Sequence, residues 1–296
     1  MVVLRIKMLA RFFGLALLVV FLIVSRIYLS EGPAGFDLPL LGGETKDELA
    51  VEIIFPRLYN MGAATIFLQG DRAVLIDAGS EEDGEIIADK LIRLGTKEIA
   101  FMFLTSPAST HFGGALCIAD RIPIRQVISF RTSVYDPEYQ ALRADMLSRG
   151  IPFVTPLLSR QHTFGNIRFT VFPPSRHFYQ NQNNHSLGIL VRHGDVRLFF
   201  AGIAATRRTE EIISYHLASV NLYMVGNHGK LNSASVELLE KLDPDFSIVA
   251  NYIADSAITN AAIYSGEILF IPEGTFRFIS CGRSLKRSDY FEIKNG

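Results

Sequence analysis

Histidine is the side chain best suited to binding a divalent metal or moving a proton near neutral pH, and carboxylates are its usual partners. The chain holds seven histidines. Two of them follow apolar runs that break into loops: His111 in LTSPASTHFGG (104–114) and His228 in YMVGNHGKLNSASVELL (223–239). Asp77 closes the apolar run of VLIDAG (74–79), and His185 lies in NNHSLGILV (183–191). Joined, such groups could form a small metal site from His111, His228 and either His185 or Asp77. A hydrolytic zinc usually takes three protein ligands plus a water.

Other candidates are weaker. Ser214-Tyr215-His216 has the residue types for nucleophilic catalysis, but falls on a predicted helix without an oxyanion-hole glycine loop. There is no P-loop and no dinucleotide fingerprint. Cys117 and Cys281 read either as a disulfide of an oxidising compartment or as two buried free thiols. The run RSLKR at 283–287 reads as a solvated turn.

The elements that must position these residues follow from periodicity. Strands are predicted at 51–55, 65–68 and 73–76, with Gly70-Asp71 as a hairpin turn. A helix over 84–94 places Ile87, Leu91 and Leu94 on one face. Next come a buried strand at 100–104, a helix at 112–120, a strand at 127–129 and a helix at 137–148 ended by Gly150. Two hairpins are expected, 162–164 with 167–172 and 187–192 with 196–200. The remainder alternates: helix 206–217, strand 222–225, helix 233–242, strand 246–250, then strands at 268–271, 276–280 and near 290–293. This order suggests two mixed sheets covered by helices, an α/β (α+β) arrangement.

Composition sets the outer bounds. The 296 residues are 49% hydrophobic and 20% charged, with two cysteines. That excludes a disordered chain and a disulfide-dense scaffold. The net charge of -1 is unevenly spread. Residues 1–30 carry Arg5, Lys7, Arg11 and Arg26 and no acid, so the rest of the chain is acidic. Residues 12–24 are apolar apart from Gly14. Residues 1–30 are therefore expected to form an N-terminal membrane helix, an uncleaved signal-anchor rather than a cleaved signal because no A-x-A site follows. The basic flank predicts a single-pass topology with the N-terminus cytoplasmic and the globular domain extracytoplasmic. Residues 31–49 read as a linker and 50–296 as one domain. The acidic remainder argues against broad nucleic-acid binding.

Taken in order and at matching separations, VLIDAG, LTSPASTHFGG, NNHSLGILV with LFFAGIA (198–204), and YMVGNHGKLNSASVELL resemble the metallo-β-lactamase superfamily. The branch they most resemble is the hydrolase-like domain of ComEC, a competence DNA-uptake protein. The resemblance covers nearly all of 51–296 and implies an αββα sandwich and a metal-dependent hydrolase. That branch typically reads LTHPHADHIGG at the second segment, LLTGD after the third and VGHHGS at the fourth. Carried across, its metal positions fall on Ser106, Ala108, Thr110, His111, Ile203, Asn227 and His228. Its DVGQGD segment falls on 60–65, where both acids are missing.

Ala108 and Ile203 cannot coordinate, and Ser106, Thr110 and Asn227 are poor ligands for a borderline-soft metal. His111 and His228 are expected at opposite edges of the site. No metal or other cofactor is therefore expected, although the family would use zinc or another divalent metal. Asp77 and Gly79 are expected to fix a structural turn, and Gly113-Gly114 to allow close helix packing. Asn183, Asn184 and His185 form either a structural loop or a pocket rim, with His185 an exposed loop histidine. Two functions compete: a membrane-anchored, non-catalytic binding or assembly protein of an envelope or DNA-uptake system, and a phosphodiesterase-like hydrolase with a reduced metal site.

Overall fold

The computed structural model describes residues 48–56, 62–132, 135–270 and 275–288. The expected anchor, most of the expected linker and the strand expected near 290–293 lie outside these residues. Among the described residues no helix is long and apolar enough to cross a membrane.

The first sheet has eight strands: β1 (Leu49–Ile54), β2 (Ala64–Gln69), β3 (Arg72–Ile76), β4 (Glu98–Leu104), β5 (Val127–Ser129), β6 (Phe153–Val154), β14 (Phe276–Ser280) and β15 (Leu285–Arg287). Their spatial order is β15-β14-β1-β2-β3-β4-β5-β6. The second sheet has β7 (Arg160–Phe164), β8 (Ile167–Phe172), β9 (Gly188–His193), β10 (Val196–Phe200), β11 (Leu222–Met224), β12 (Phe246–Val249) and β13 (Glu267–Phe270), ordered β13-β12-β11-β10-β9-β8-β7. Both sheets are mixed in the same way. The strands β1-β2-β3 and β7-β8-β9-β10 are antiparallel; two-residue turns join β2 to β3, β7 to β8 and β9 to β10, and the longer segment 173–187 joins β8 to β9. Helical crossovers join the parallel strands β3-β4-β5-β6 and β10-β11-β12-β13.

The two inner faces meet through aromatic rings. Phe67 of β2 packs edge-on to Phe169 of β8 at 5.2 Å and to Phe200 of β10 at 5.9 Å, and Phe103 of β4 stacks on Phe169 at 5.4 Å. On the first sheet's side lie α1 (Gly84–Arg93), α2 (Ser109–Phe112), α3 (Ala115–Arg121) and α4 (Pro137–Ser148). α5 (Thr206–Ile213), α6 (Ser235–Leu242) and α7 (Ser256–Ser265) cover the second sheet, where Ile212, Leu238, Leu239 and Ile258 form an apolar layer with Phe199 and Tyr223.

Several sequence expectations are corrected. The helix expected at 112–120 is two short helices, α2 and α3, parted at Gly113-Gly114. A Cβ on Gly114 would lie 2.2 Å from the Ala78 carbonyl oxygen and 2.8 Å from Gly84 Cα, so the site loop and α1 press directly on this backbone. The helix expected to reach Leu217 ends at Ile213, where the Ser214 hydroxyl turns back to the Glu211 carbonyl at 2.6 Å. Helix α7 was not predicted: it buries only Ile258 and Ala262, while Ile263 and Tyr264 are exposed and blur its period. The RSLKR segment is not a turn but carries β15, paired to β14.

Candidate functional site

The segments singled out in the sequence converge where β3, β4, β10 and β11 end. Asp77 follows β3 in a left-handed conformation, φ 60°, and Gly79 follows at φ 68°. The turn aims the Asp77 carboxylate across to the end of β4. There Oδ1 accepts the Thr105 amide at 2.7 Å and Oδ2 accepts the Thr105 hydroxyl at 2.8 Å. Oδ2 also accepts His111 Nδ1 at 2.8 Å, which fixes the tautomer that protonates Nδ1. Backbone bonds tie the same loops: Asp77 N–H to the Phe103 carbonyl, Ala78 N–H to that of His111, and Leu187 N–H to that of Thr105.

On the opposite wall, Asn227 and His228 sit in the 3-10 turn Gly226–Gly229, both left-handed at φ 52° and 53°. Two consecutive non-glycine residues in this region store backbone strain. The Gly226 amide donates to the Tyr223 hydroxyl at 3.3 Å, and the Asn227 amide to the Gly202 carbonyl at 3.2 Å, which holds the turn in place. The His111 and His228 rings are 5.7 Å apart, so the two histidines are adjacent rather than at opposite edges. Burial, then the nearby His111 and Lys230, push the His228 imidazole down to about 4, against the opposing bond to the Ala250 backbone.

Between these walls lies a cavity of about 20 Å³, lined by Thr65, Ile76, Asp77, His111, Phe200, Gly202, Met224, Val225 and His228 among others. That is the space of a single water molecule. Among the described residues, buried His111 Nε2 has no hydrogen-bond partner. The remaining family metal positions add no donor of substance. Ser106 is fully buried and its hydroxyl has no partner among the described residues; Ile203 is 5% exposed and apolar; Ala108 and Thr110 are half-buried at the start of α2. A divalent metal does not fit this set. Ala108 and Ile203 offer no donor, and among the described residues no three His, Cys, Asp or Glu side chains are grouped to hold an ion.

The Asn183-Asn184-His185 run is not a rim. It forms the 3-10 turn Gln182–His185, and Asn184 and His185 are buried. His185 is fully buried and meets Tyr179 edge-on at 5.1 Å, so the expectation of an exposed loop histidine is wrong. Burial, with Arg131 nearby, pushes its imidazole down. The Asn184 side chain accepts the Arg208 amide at 2.9 Å.

Sequence reasoning missed Arg208. Its guanidinium is wholly buried, donating to the Ser186 carbonyl at 2.8 Å, to Glu211 at 3.0 Å, to the Tyr215 hydroxyl at 3.1 Å and to the Phe172 carbonyl at 2.5 Å. It locks the Asn-Asn-His turn to α5, and Tyr215 is thereby a structural partner rather than part of a catalytic triplet. Cys117 and Cys281 are both free; Cys117 is half-buried and Cys281 exposed, which corrects the picture of two buried thiols.

No family model matches the chain. Among solved structures, the metallo-β-lactamase fold protein YhfI from Bacillus subtilis aligns with a TM-score of 0.54 at 11% identity, covering 79% of this chain and 100% of that one. Zinc-bound PqqB from Methylobacterium extorquens aligns at TM-score 0.48 and 15% identity, over 73% of this chain and 86% of its own. Among curated proteins, Recombination protein 2 of Haemophilus influenzae is 25% identical over 194 residues, 64% of this chain. The match spans 23% of that relative's length. The chain has the metallo-β-lactamase fold, two mixed sheets between helices, and the Recombination protein 2 match is consistent with the ComEC-type resemblance.

Proposed function

We propose that this protein is a non-catalytic metallo-β-lactamase-fold protein, tethered to a membrane by residues 1–30 with its domain outside the cytoplasm, that acts by binding a protein partner in an envelope or DNA-uptake assembly. One observation supports the loss of catalysis: at the metal positions that the resemblance implies, Ala108 and Ile203 carry no donor and Ser106, Thr110 and Asn227 are poor ligands, so only His111 and His228 remain, beside a cavity of about 20 Å³. Hydrolysis in this fold needs an activated water, a metal to generate it and room for the scissile group. A one-water cavity, walled on its apolar side by Ile76, Phe200 and Val225, leaves no room for a scissile group beside that water. Metal analysis of the purified full chain after exposure to zinc tests the reading. Well under one equivalent is expected; one or two tightly held equivalents overturn it.

His111 Nε2, beside His228 and without a partner among the described residues, favours one second reading, a hydrolase with a reduced site. It requires His111→Ala to abolish a chelator-sensitive phosphodiesterase activity. Crosslinking in intact membranes tests the partner: recovery of no protein counts against an assembly role.

A further inference from the structure

Three arginines stand side by side on one face of the second sheet. Arg168 of β8 is directly opposite Arg192 of β9, which is directly opposite Arg197 of β10, and Thr163 of β7 extends the row. Their strand neighbours Ile167, Phe169, Val191, His193, Val196 and Leu198 are all buried. Alternation therefore turns the three arginines outward. Arg168 and Arg192 are exposed and Arg197 is half-buried. Among the described residues none of the three has a carboxylate partner, and Asp195 in the β9–β10 turn supplies none. Like charges directly opposite across strands destabilise a sheet. An uncompensated row of three is a standing cost that a bound anion would offset.

The row borders an open concavity of about 360 Å³ lined by Thr163, Gly165, Asn166, Arg168, Arg192 and Gly194. A second, of about 370 Å³, shares Thr163 and Gly165 and adds Arg72 and Arg125. Glu98 neutralises Arg125 at 2.8 Å, whereas Arg72 lies over the Phe164 ring at 5.4 Å and has no carboxylate partner among the described residues. This end of the sandwich is remote from the His111–His228 cavity. Arg197 lies near the start of β10, and Phe200 at the other end of β10 lines that cavity.

We propose that Arg168 and Arg192, with the Thr163 hydroxyl, form a binding site for a phosphoryl group. Two opposed guanidinium forks suit a tetrahedral dianion, which offsets both charges, better than a carboxylate, which offsets one. The concavity exceeds a bare phosphate, so the ligand is a phosphate monoester, either a soluble one or a phospholipid headgroup. The site does not depend on whether the old metal site is inactive.

The test is thermal unfolding of the full chain and of R168Q/R192Q, with inorganic phosphate exchanged for chloride at constant ionic strength. In chloride the double variant is expected to melt higher, because the opposed charges are gone. With phosphate the wild type is expected to rise in proportion to the logarithm of concentration. The variant should keep only the small rise that phosphate gives any protein by exclusion from its surface. Each single variant should bind about tenfold more weakly. Glycerol phosphate and short-chain phosphatidic acid then separate the sources: a larger shift with the lipid assigns a headgroup, equal shifts a soluble ester. An equal phosphate response in wild type and double variant, or a double variant less stable in chloride, overturns the site.

Discussion

His111 Nδ1 lies 2.8 Å from Asp77 Oδ2, and both side chains are buried. A carboxylate that holds one imidazole nitrogen is the device that orients the other nitrogen toward a metal. Here the second nitrogen, His111 Nε2, lines a one-water cavity with His228 across from it. The Asp77–His111 contact has that form, while Ser106, Ala108, Thr110 and Ile203 stand at positions that the resemblance gives to metal ligands. The pair now fastens the β3 and β4 loops to each other.

Asp77→Ala should therefore be among the most damaging substitutions in the domain. It strips the Thr105 amide, the Thr105 hydroxyl and His111 of their acceptor at once and places alanine at φ 60°. A loss of about 3–5 kcal/mol is expected from urea unfolding midpoints. Asp77→Asn, which tolerates the left-handed backbone, should lose roughly half of that. A loss below about 1 kcal/mol for alanine would show that the pair does not hold the loops.

Ser106 should behave in the opposite way. Its hydroxyl is fully buried with no partner among the described residues, so it bears a desolvation cost without a bond. Ser106→Ala should stabilise the chain by about 1 kcal/mol. A clear destabilisation would mean that the hydroxyl serves the fold or a ligand.

The His228 imidazole is held neutral, pushed down to about 4 by burial and by His111. In the unfolded chain it protonates near the ordinary ~6.5. The unfolded state thus binds the proton first on acidification. The stability contributed by His228 is full above about pH 6.5 and is lost as pH falls toward 4, by on the order of 2 kcal/mol. His185 and His162 are also pushed down, chiefly by burial, and add in the same direction. His228→Gln should flatten the fall between pH 6.5 and 4 in unfolding free energy. An unchanged pH profile in that variant would place His228 in water.

Much of this was legible in the sequence for a local reason. Strands such as 127–129, 167–172, 196–200 and 276–280 are short apolar runs bounded by turn residues, and they fall where expected. The four spaced segments also pointed to one place, since Asp77, His111, Gly202 and His228 line the same cavity. What escaped was set by tertiary partners. His185 looks like any polar loop residue until Tyr179 closes over it, and the nearness of His111 to His228 depends on two sheets meeting. β15 is a three-residue edge whose pairing with β14 only the fold reveals. Arg208 sits in a charged stretch, TRRTEE, in which nothing local separates the buried arginine from the exposed Arg207 beside it.

That difference is testable. Arg208 spans four acceptors in fixed directions, which a lysine ammonium cannot reach together. Arg208→Lys should cost about 3 kcal/mol and Arg208→Ala more, since Glu211 would lose its cation. Arg207→Lys, at the exposed position one residue away, should change stability by less than about 0.5 kcal/mol. Parity between the two lysine variants would refute the hub.

The two free cysteines should differ in reactivity, because the thiolate is the reactive form. The exposed Cys281 thiol is pulled down to about 7, first by the Ser284 hydroxyl and then by the backbone of Arg283 and Ser284. The half-buried Cys117 is pushed up, mainly by burial and then by Glu85. At neutral pH iodoacetamide should therefore alkylate Cys281 first, with a rate that climbs through a midpoint near 7. Ser284→Ala should move that midpoint up toward the ordinary thiol range while leaving Cys117 unchanged. Mass spectrometry of the alkylated peptides reads both. Equal rates, or a midpoint that Ser284→Ala does not move, would remove the Ser284 hydrogen bond as the cause.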